Sequence, residues 1–208
     1  MKRQQAGFTL VEIAIVLVII GLLLGGILKG QEMINSGKIK SVINDSKAVS
    51  IAFYTYQDRY RAIPGDDNAA ATRFTGAVNG SGNGVIAGVF NAQLAPGPAN
   101  ESNSFWQHTR LANLMSGVAT AAVALPPTTS VGGVVGPEDA AYGISGAVAC
   151  SSNVPMGMAQ SMDVQLDDGA ATTGTFRAGA AGVVLTSGAG TAYNIATPTA
   201  GVTICQQI

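Results

Sequence analysis

Residues that carry chemistry are scarce in this chain. It has one histidine, His108, two cysteines, Cys150 and Cys205, and only 11% charged residues among 208. No G-x-S-x-G, H-E-x-x-H or G-x-x-x-x-G-K-[ST] pattern occurs, so there is no nucleophile elbow, zinc helix or phosphate loop to build an enzyme on. Two cysteines and one histidine lack a fourth zinc ligand and have no ligand-like spacing. With Lys+Arg at 11 and Asp+Glu at 12, the formal net charge is -1, and a general electrostatic footprint for nucleic acid is not indicated. Proline is absent before Pro64. Beyond residue 28 no apolar run is long enough to cross a bilayer.

What is present is concentrated at the start. Met1-Lys-Arg-Gln-Gln-Ala-Gly7 is followed by an apolar run from Phe8 to Leu28, broken only by Thr9 and Glu12 among polar residues. Twenty-one helical residues would extend about 31 Å, the thickness of a bilayer core. Basic residues ahead of such a run hold that end in the cytoplasm. A cleaved secretory signal is the rival reading. The run is long for one, no A-x-A-like site follows, and helix-compatible sequence continues instead to Tyr60. Glu12 is the informative residue, because a carboxylate inside an apolar span costs several kcal/mol, on the order of 3, unless it is paired or neutral.

Gly7-Phe8-Thr9-Leu10-Val11-Glu12 resembles the processing motif of type IV pilins and of type II secretion pseudopilins. The resemblance implies cleavage between Gly7 and Phe8 by a prepilin peptidase and N-methylation of the new Phe8 amine. It implies that Glu12 meets the Phe8 amine of a neighbouring subunit during assembly. It also implies an α+β pilin fold: a long N-terminal helix, half transmembrane and half packed on a C-terminal globular head with an antiparallel sheet. The expected divisions are a leader at 1–7, an assembly helix at 8–28, its amphipathic continuation at 29–62 and the head at 63–208. Many filament-forming pilins carry proline in the first helix. This sequence has Gly21, Gly25, Gly26 and Gly30 there instead. The stretch 25–30 is read either as a place to bend or extend in a filament or as a close-packing surface of small residues.

Beyond residue 28, Ile34, Ile39, Val42, Ile43, Val49, Ile51, Ala52, Phe53, Tyr56 and Tyr60 recur mostly at spacings of three and four, the signature of a buried helical stripe. Pro64 should end the helix. Asp66 and Asp67 are expected to cap a short helix over 68–74 rather than to form a catalytic pair. The stretch 75–100 reads as Gly/Asn/Pro-rich loops with an extended piece at 85–90. Within it, Asn79-x-Ser81-x-Asn83-Gly84 echoes a calcium loop, but carboxylates are missing and the twelfth position is Phe90; a glycine-rich turn is the expectation and calcium the alternative. A helix is expected over 105–115, capped by Asn103 or Ser104, with Trp106 in the core and His108 lacking a catalytic partner. Another is expected over 155–167 and stopped by Gly169, where Asp163, Asp167 and Asp168 could gather a cation. Strands are expected at 147–150, 175–178, 182–185, 192–195 and 202–205.

In an oxidising compartment Cys150 and Cys205 would pair; two unrelated buried thiols is the other reading. A two-cysteine C-terminal loop recurs in type IV pilins, so the resemblance supports pairing. The resulting expectation is a filament subunit, anchored in the bacterial inner membrane with its head in the periplasm before assembly. Its partners would be prepilin peptidase, copies of itself or related pilins, and pilus or type II secretion machinery. A pseudopilin is the alternative, and a membrane-anchored ligand-binding protein is a third reading.

Overall fold

The computed structural model describes residues 9–91, 95–120, 124–180, 190–193 and 196–208. The chain separates into two units, one ending at Lys38 and the other spanning Ile39–Ile208. Helix α1 covers Leu10–Tyr60 without interruption, including Gly25, Gly26 and Gly30. It stops where the sequence requires: Arg61 turns into the left-handed region at φ 53, and its N–H still reaches the Gln57 carbonyl at 2.9 Å, just ahead of Pro64.

The second unit is built on the last third of α1. Val42, Ser46, Val49, Phe53 and Tyr56 form the buried stripe, with Ile43 and Ala52 beside it. Two members of the expected stripe lie elsewhere. Ile51 is exposed because two residues beyond Val49 is about 200° around the helix. Ile34 is exposed within the first unit.

Four strands follow: β1 (Val135–Asp139), β2 (Ala147–Pro155), β3 (Phe176–Ala180) and β4 (Gly201–Gln207). They form one antiparallel sheet in the order β1-β2-β4-β3. Proline at 137 is tolerated because β1 is an edge strand, where the lost N–H breaks no second ladder. The irregularity between Ser151 and Val154 coincides with Asn153 at φ 57.

Alternation along these strands gives the sheet two buried faces. Ala149, Val154, Phe176, Ala178, Val202 and Ile204 belong to the two clusters that take in the α1 stripe. Helix α4 (Met156–Leu166) adds Ala159 and Met162, and α3 (Glu101–Leu111) adds Phe105 and Trp106. Each fully buried Val, Leu, Phe or Met side chain contributes about 1.5–3 kcal/mol, so these clusters supply most of the driving force for docking the helix on the sheet. On the opposite face, Val148 and Cys150 of β2 and Cys205 of β4 pack with Phe90, Ala141, Tyr142 and Ile144.

Cys150 and Cys205 are direct cross-strand partners in β2 and β4 and are joined by a disulfide. Several boundaries differ from expectation. Helix α3 begins at Glu101, four residues before Phe105, so Asn103 and Ser104 lie inside it and do not cap it. Helix α2 is only Ala70–Arg73. The expected strand at 182–185 lies outside the described residues, as do residues 194 and 195 of the expected strand at 192–195; Ala192 and Tyr193 are not in a strand.

The cross-link closes a loop with a sequence separation of 55. A loop of that length should stabilise the head by about 4 kcal/mol through restriction of the unfolded chain. Cys150→Ser with Cys205→Ser should therefore lower the denaturation midpoint of the detergent-solubilised full chain by that free energy, followed through the single tryptophan. An unchanged midpoint would mean that the β2–β4 ladder alone carries the fold.

Candidate functional site

Two parts of the molecule carry the residues singled out by the sequence. The first is the start of α1. Gly7 and Phe8 lie outside the described residues. Glu12 is described, and it is not without partners. Its Oε2 accepts from the Thr9 N–H at 2.8 Å and the Thr9 hydroxyl at 2.7 Å. The Glu12 N–H is in turn 3.3 Å from Thr9 Oγ1. This is a capping box: Thr9 stands before the first helical residue and Glu12 three positions on reaches back. The T-x-x-E spacing carries this local partner, which is distinct from both a neutral Glu12 and one paired between subunits. Around it, Leu10, Leu17, Leu22 and Leu28 are each more than 60% exposed. A surface this apolar cannot remain in water; it belongs in a membrane or against other helices. Gly21, Gly25, Gly26 and Gly30 have open space where a side chain would project.

The second part is a set of buried polar groups between α1 and α3, all in the second unit. Asp66, Asp67, Glu101, Gln107 and His108 are buried. Asp66 Oδ1 accepts from the Ser81 hydroxyl at 3.0 Å and the Asn83 N–H at 2.9 Å, and Oδ2 accepts from the Gly84 N–H at 2.7 Å. Glu101 accepts from the Ser81 N–H at 2.7 Å and the Ala87 N–H at 2.8 Å, one on each oxygen. The segment expected to echo a calcium loop therefore has the opposite polarity: it points N–H donors at protein carboxylates. A calcium loop presents oxygens to a cation. Glycine is required at two positions here. Gly65 has φ 95 and a Cβ there would lie 2.4 Å from the Glu101 carbonyl oxygen, while a Cβ on Gly80 would lie 2.2 Å from the Gly65 carbonyl oxygen.

Asp67 accepts from the Tyr56 hydroxyl at 2.7 Å, from the Ala69 N–H at 2.9 Å and from Arg73. It makes a local turn with Ala69, and no side chain caps α2. Burial alone would push its carboxyl up, but the bonds from Tyr56, Ala69 and Arg73 outweigh burial and hold it below the ordinary range. The same pairing and burial push the Tyr56 hydroxyl up. His108 Nδ1 accepts from the Gly65 N–H at 3.0 Å, which leaves Nε2 to donate to the Val78 carbonyl at 2.8 Å. Both ring nitrogens serve the main chain, and burial lowers the imidazole pKa. Arg110 is spent likewise, donating to the carbonyls of Ser116, Val118 and Leu125. Arg177 donates to the carbonyls of Gly174 and Tyr142.

Asp163, Asp167 and Asp168 do come together: each can place a carboxylate oxygen within 4.8 Å of the others. Their oxygens already accept protein hydrogen bonds. Asp163 takes Tyr193 and Gly169, Asp167 takes Thr175 and Phe176, and Asp168 takes Thr173 and Ala170. Burial pushes Asp163 up. The cluster organises the turn after α4.

No sequence motif marks Glu138. It lies in β1, 1% exposed, accepts from the Phe90 N–H at 3.1 Å through Oε2, and has no partner for Oε1 among the described residues. Burial pushes its carboxyl up to about 7.

A helix long and apolar enough to cross a membrane, a single carboxylate in its first turn and an α+β head define the class: a pilin-like α+β architecture. Residues 2–28 match the prokaryotic N-terminal methylation motif, which supports a type IV pilin-like or pseudopilin reading of the chain. No curated protein matches the chain.

Two outcomes are expected. Glu101→Gln replaces one acceptor with an amide donor facing a backbone N–H, and should cost about 2–4 kcal/mol in denaturant unfolding; a cost near zero would show that the 81–87 segment holds itself. For Glu138 the folded carboxyl titrates near 7 against an ordinary 4.5, so unfolding releases a proton between these values. Its contribution is fully present below about pH 4.5 and is lost as pH rises to about 7, a change of about 3 kcal/mol. The difference in unfolding free energy between the wild type and Glu138→Gln should follow that curve. A flat difference would mean that Glu138 ionises normally.

Proposed function

We propose that this chain is a structural subunit of a type IV pilus or pilus-like filament. The observation that carries the proposal is the exposed apolar first part of α1 with Glu12 in its opening turn, inside the matched motif. Residues 1–7 are the leader, removed by prepilin peptidase between Gly7 and Phe8, and the Phe8 amine is then methylated. Residues 8–28 hold the subunit in the inner membrane, with the head on the periplasmic side, and afterwards pack against copies of itself or related pilins. Residues 29–62 continue the helix, and 63–208 form the head.

The chemistry of assembly is an exchange of partners. Glu12 is satisfied locally by Thr9 in the single chain. A neighbouring Phe8 ammonium offers a full opposite charge in a medium of low dielectric, where a charge-assisted bond is stronger than a neutral one. Pulling apolar helices together then buries the pair. The cross-strand disulfide favours a filament outside the cell over a pseudopilin of type II secretion, since a cross-linked head tolerates an exposed, oxidising setting.

The test is co-expression of the full chain with a prepilin peptidase, with and without Glu12→Ala, followed by intact mass and N-terminal sequencing of membranes and of material sheared from cells. The expected result is loss of Met1–Gly7 and a methylated Phe8 in both variants, with sheared filaments falling to background in Glu12→Ala. An uncut Gly7–Phe8 bond, or a cut after the apolar run, overturns the proposal.

A further inference from the structure

The head contains a cavity that filament assembly does not explain. Its volume is about 320 Å³, and its walls include Val85, Ile86, Val89, Glu138, Asp139 and Ala140. Val85 and Val89 are more than 40% exposed, so apolar side chains stand at the mouth. Glu138 is one of the lining residues, and its buried Oε1 has no hydrogen-bond partner among the described residues. A buried carboxylate oxygen with nothing to accept from is costly and rare. The backbone beside it is also unusual. Ala140 and Tyr142 adopt φ 54 and 51, values that cost energy for residues with a Cβ. Strain of this kind concentrates where a group is being held for a ligand.

The lining decides the class of ligand. A hard divalent cation needs six or more oxygens, roughly, and valine and isoleucine supply none. An anion would face Glu138 and Asp139. A neutral apolar molecule would leave Oε1 unpaired. What fits is a cation carried on an apolar stem, with its N–H donors on the carboxylate and its methylenes against the valines. We propose that this cavity binds a primary alkylammonium group, anchored by Glu138 Oε1 and walled by Ile86 and Val89.

Two sources supply that chemistry: a free amine, or the lysine side chain of a second copy. The chain's lysines are Lys2, Lys29, Lys38, Lys40 and Lys47, so the sequence after residue 47 has none. Lys40 and Lys47 are exposed on α1. The carboxyl that burial pushes up to about 7 has ionisation to gain from a cation beside it. Binding of a free amine does not depend on the filament reading, and a chain that forms no filament would still show it.

The experiment uses the full chain in detergent micelles with labelled Ile and Val methyl groups, titrated with n-butylammonium chloride against sodium chloride of equal ionic strength. Saturable shifts at Ile86 and Val89 are expected in the wild type and absent in Glu138→Gln. Val89→Trp, which fills the mouth and leaves the carboxylate in place, should also abolish them, and it covers the case in which Glu138→Gln does not fold. Shifts that do not saturate, or that persist unchanged in both variants, overturn the proposal. A second arm treats the chain with a carbodiimide, which couples carboxylates to amines. Given saturable butylammonium binding, dimers that vanish in both Glu138→Gln and Lys40→Ala/Lys47→Ala, and that butylammonium competes away, assign the ammonium to a second copy. Dimers indifferent to these changes assign it to a free amine.

Discussion

The head depends on carboxylates that work as internal anchors for its main chain. Asp66 and Glu101 between them accept four backbone N–H groups and one hydroxyl from residues 81–87. Asp67 ties the same region to Tyr56 of α1. An irregular loop has no ladder to satisfy its donors, so something else must. Here Asp66, ahead of α2, and Glu101, the first residue of α3, do it. Removing either anchor would strand more than one loop donor at once; the anchor Glu101 itself opens a stretch of nine buried, mostly polar residues, Glu101–Thr109.

Much of the architecture was legible because it follows from pattern. The apolar run and the spacings of three and four after residue 39 specify α1, and Pro64 specifies its end. The two cysteines fall on β2 and β4 as expected. What could not be read has a physical reason in each case. Helix α3 starts early because Glu101 is held from outside the helix, by Ser81 and Ala87, and no local sequence signal announces that. Strand β1 contains Pro137 and two acidic residues, which look like a loop until the sheet places it on an edge. The glycine-rich segment 79–84 has the spacing of a cation loop and the polarity of an anion cradle; spacing alone does not distinguish them. Glu12 stands out by its cost in an apolar span, while its capping partner Thr9, three residues earlier, is marked only by the short T-x-x-E spacing.

That capping contact changes how assembly is to be pictured. A lone carboxylate in hydrocarbon would be driven to any cation. A carboxylate that already closes its own helix start has a lower-energy waiting state, so in the proposed assembly a neighbour's ammonium would have to be better than Thr9 rather than better than nothing. Both contacts from Thr9 fall on one oxygen, Oε2, so in the proposed assembly a neighbour's ammonium would meet a carboxylate already oriented by its own helix start.

The basic residues after Arg61 are Arg73, Arg110 and Arg177. Each is held: Arg73 by Asp67, Arg110 by three carbonyls across a turn, and Arg177 by the carbonyls of Gly174 and Tyr142. A trypsin-like protease needs a basic side chain free to enter its pocket and a backbone free to extend. The head offers that enzyme few bonds to cut, and those few are fastened at the side chain it must grip. Durability against such digestion is thus written partly into the scarcity of lysine and arginine, in addition to whatever the core and the disulfide contribute.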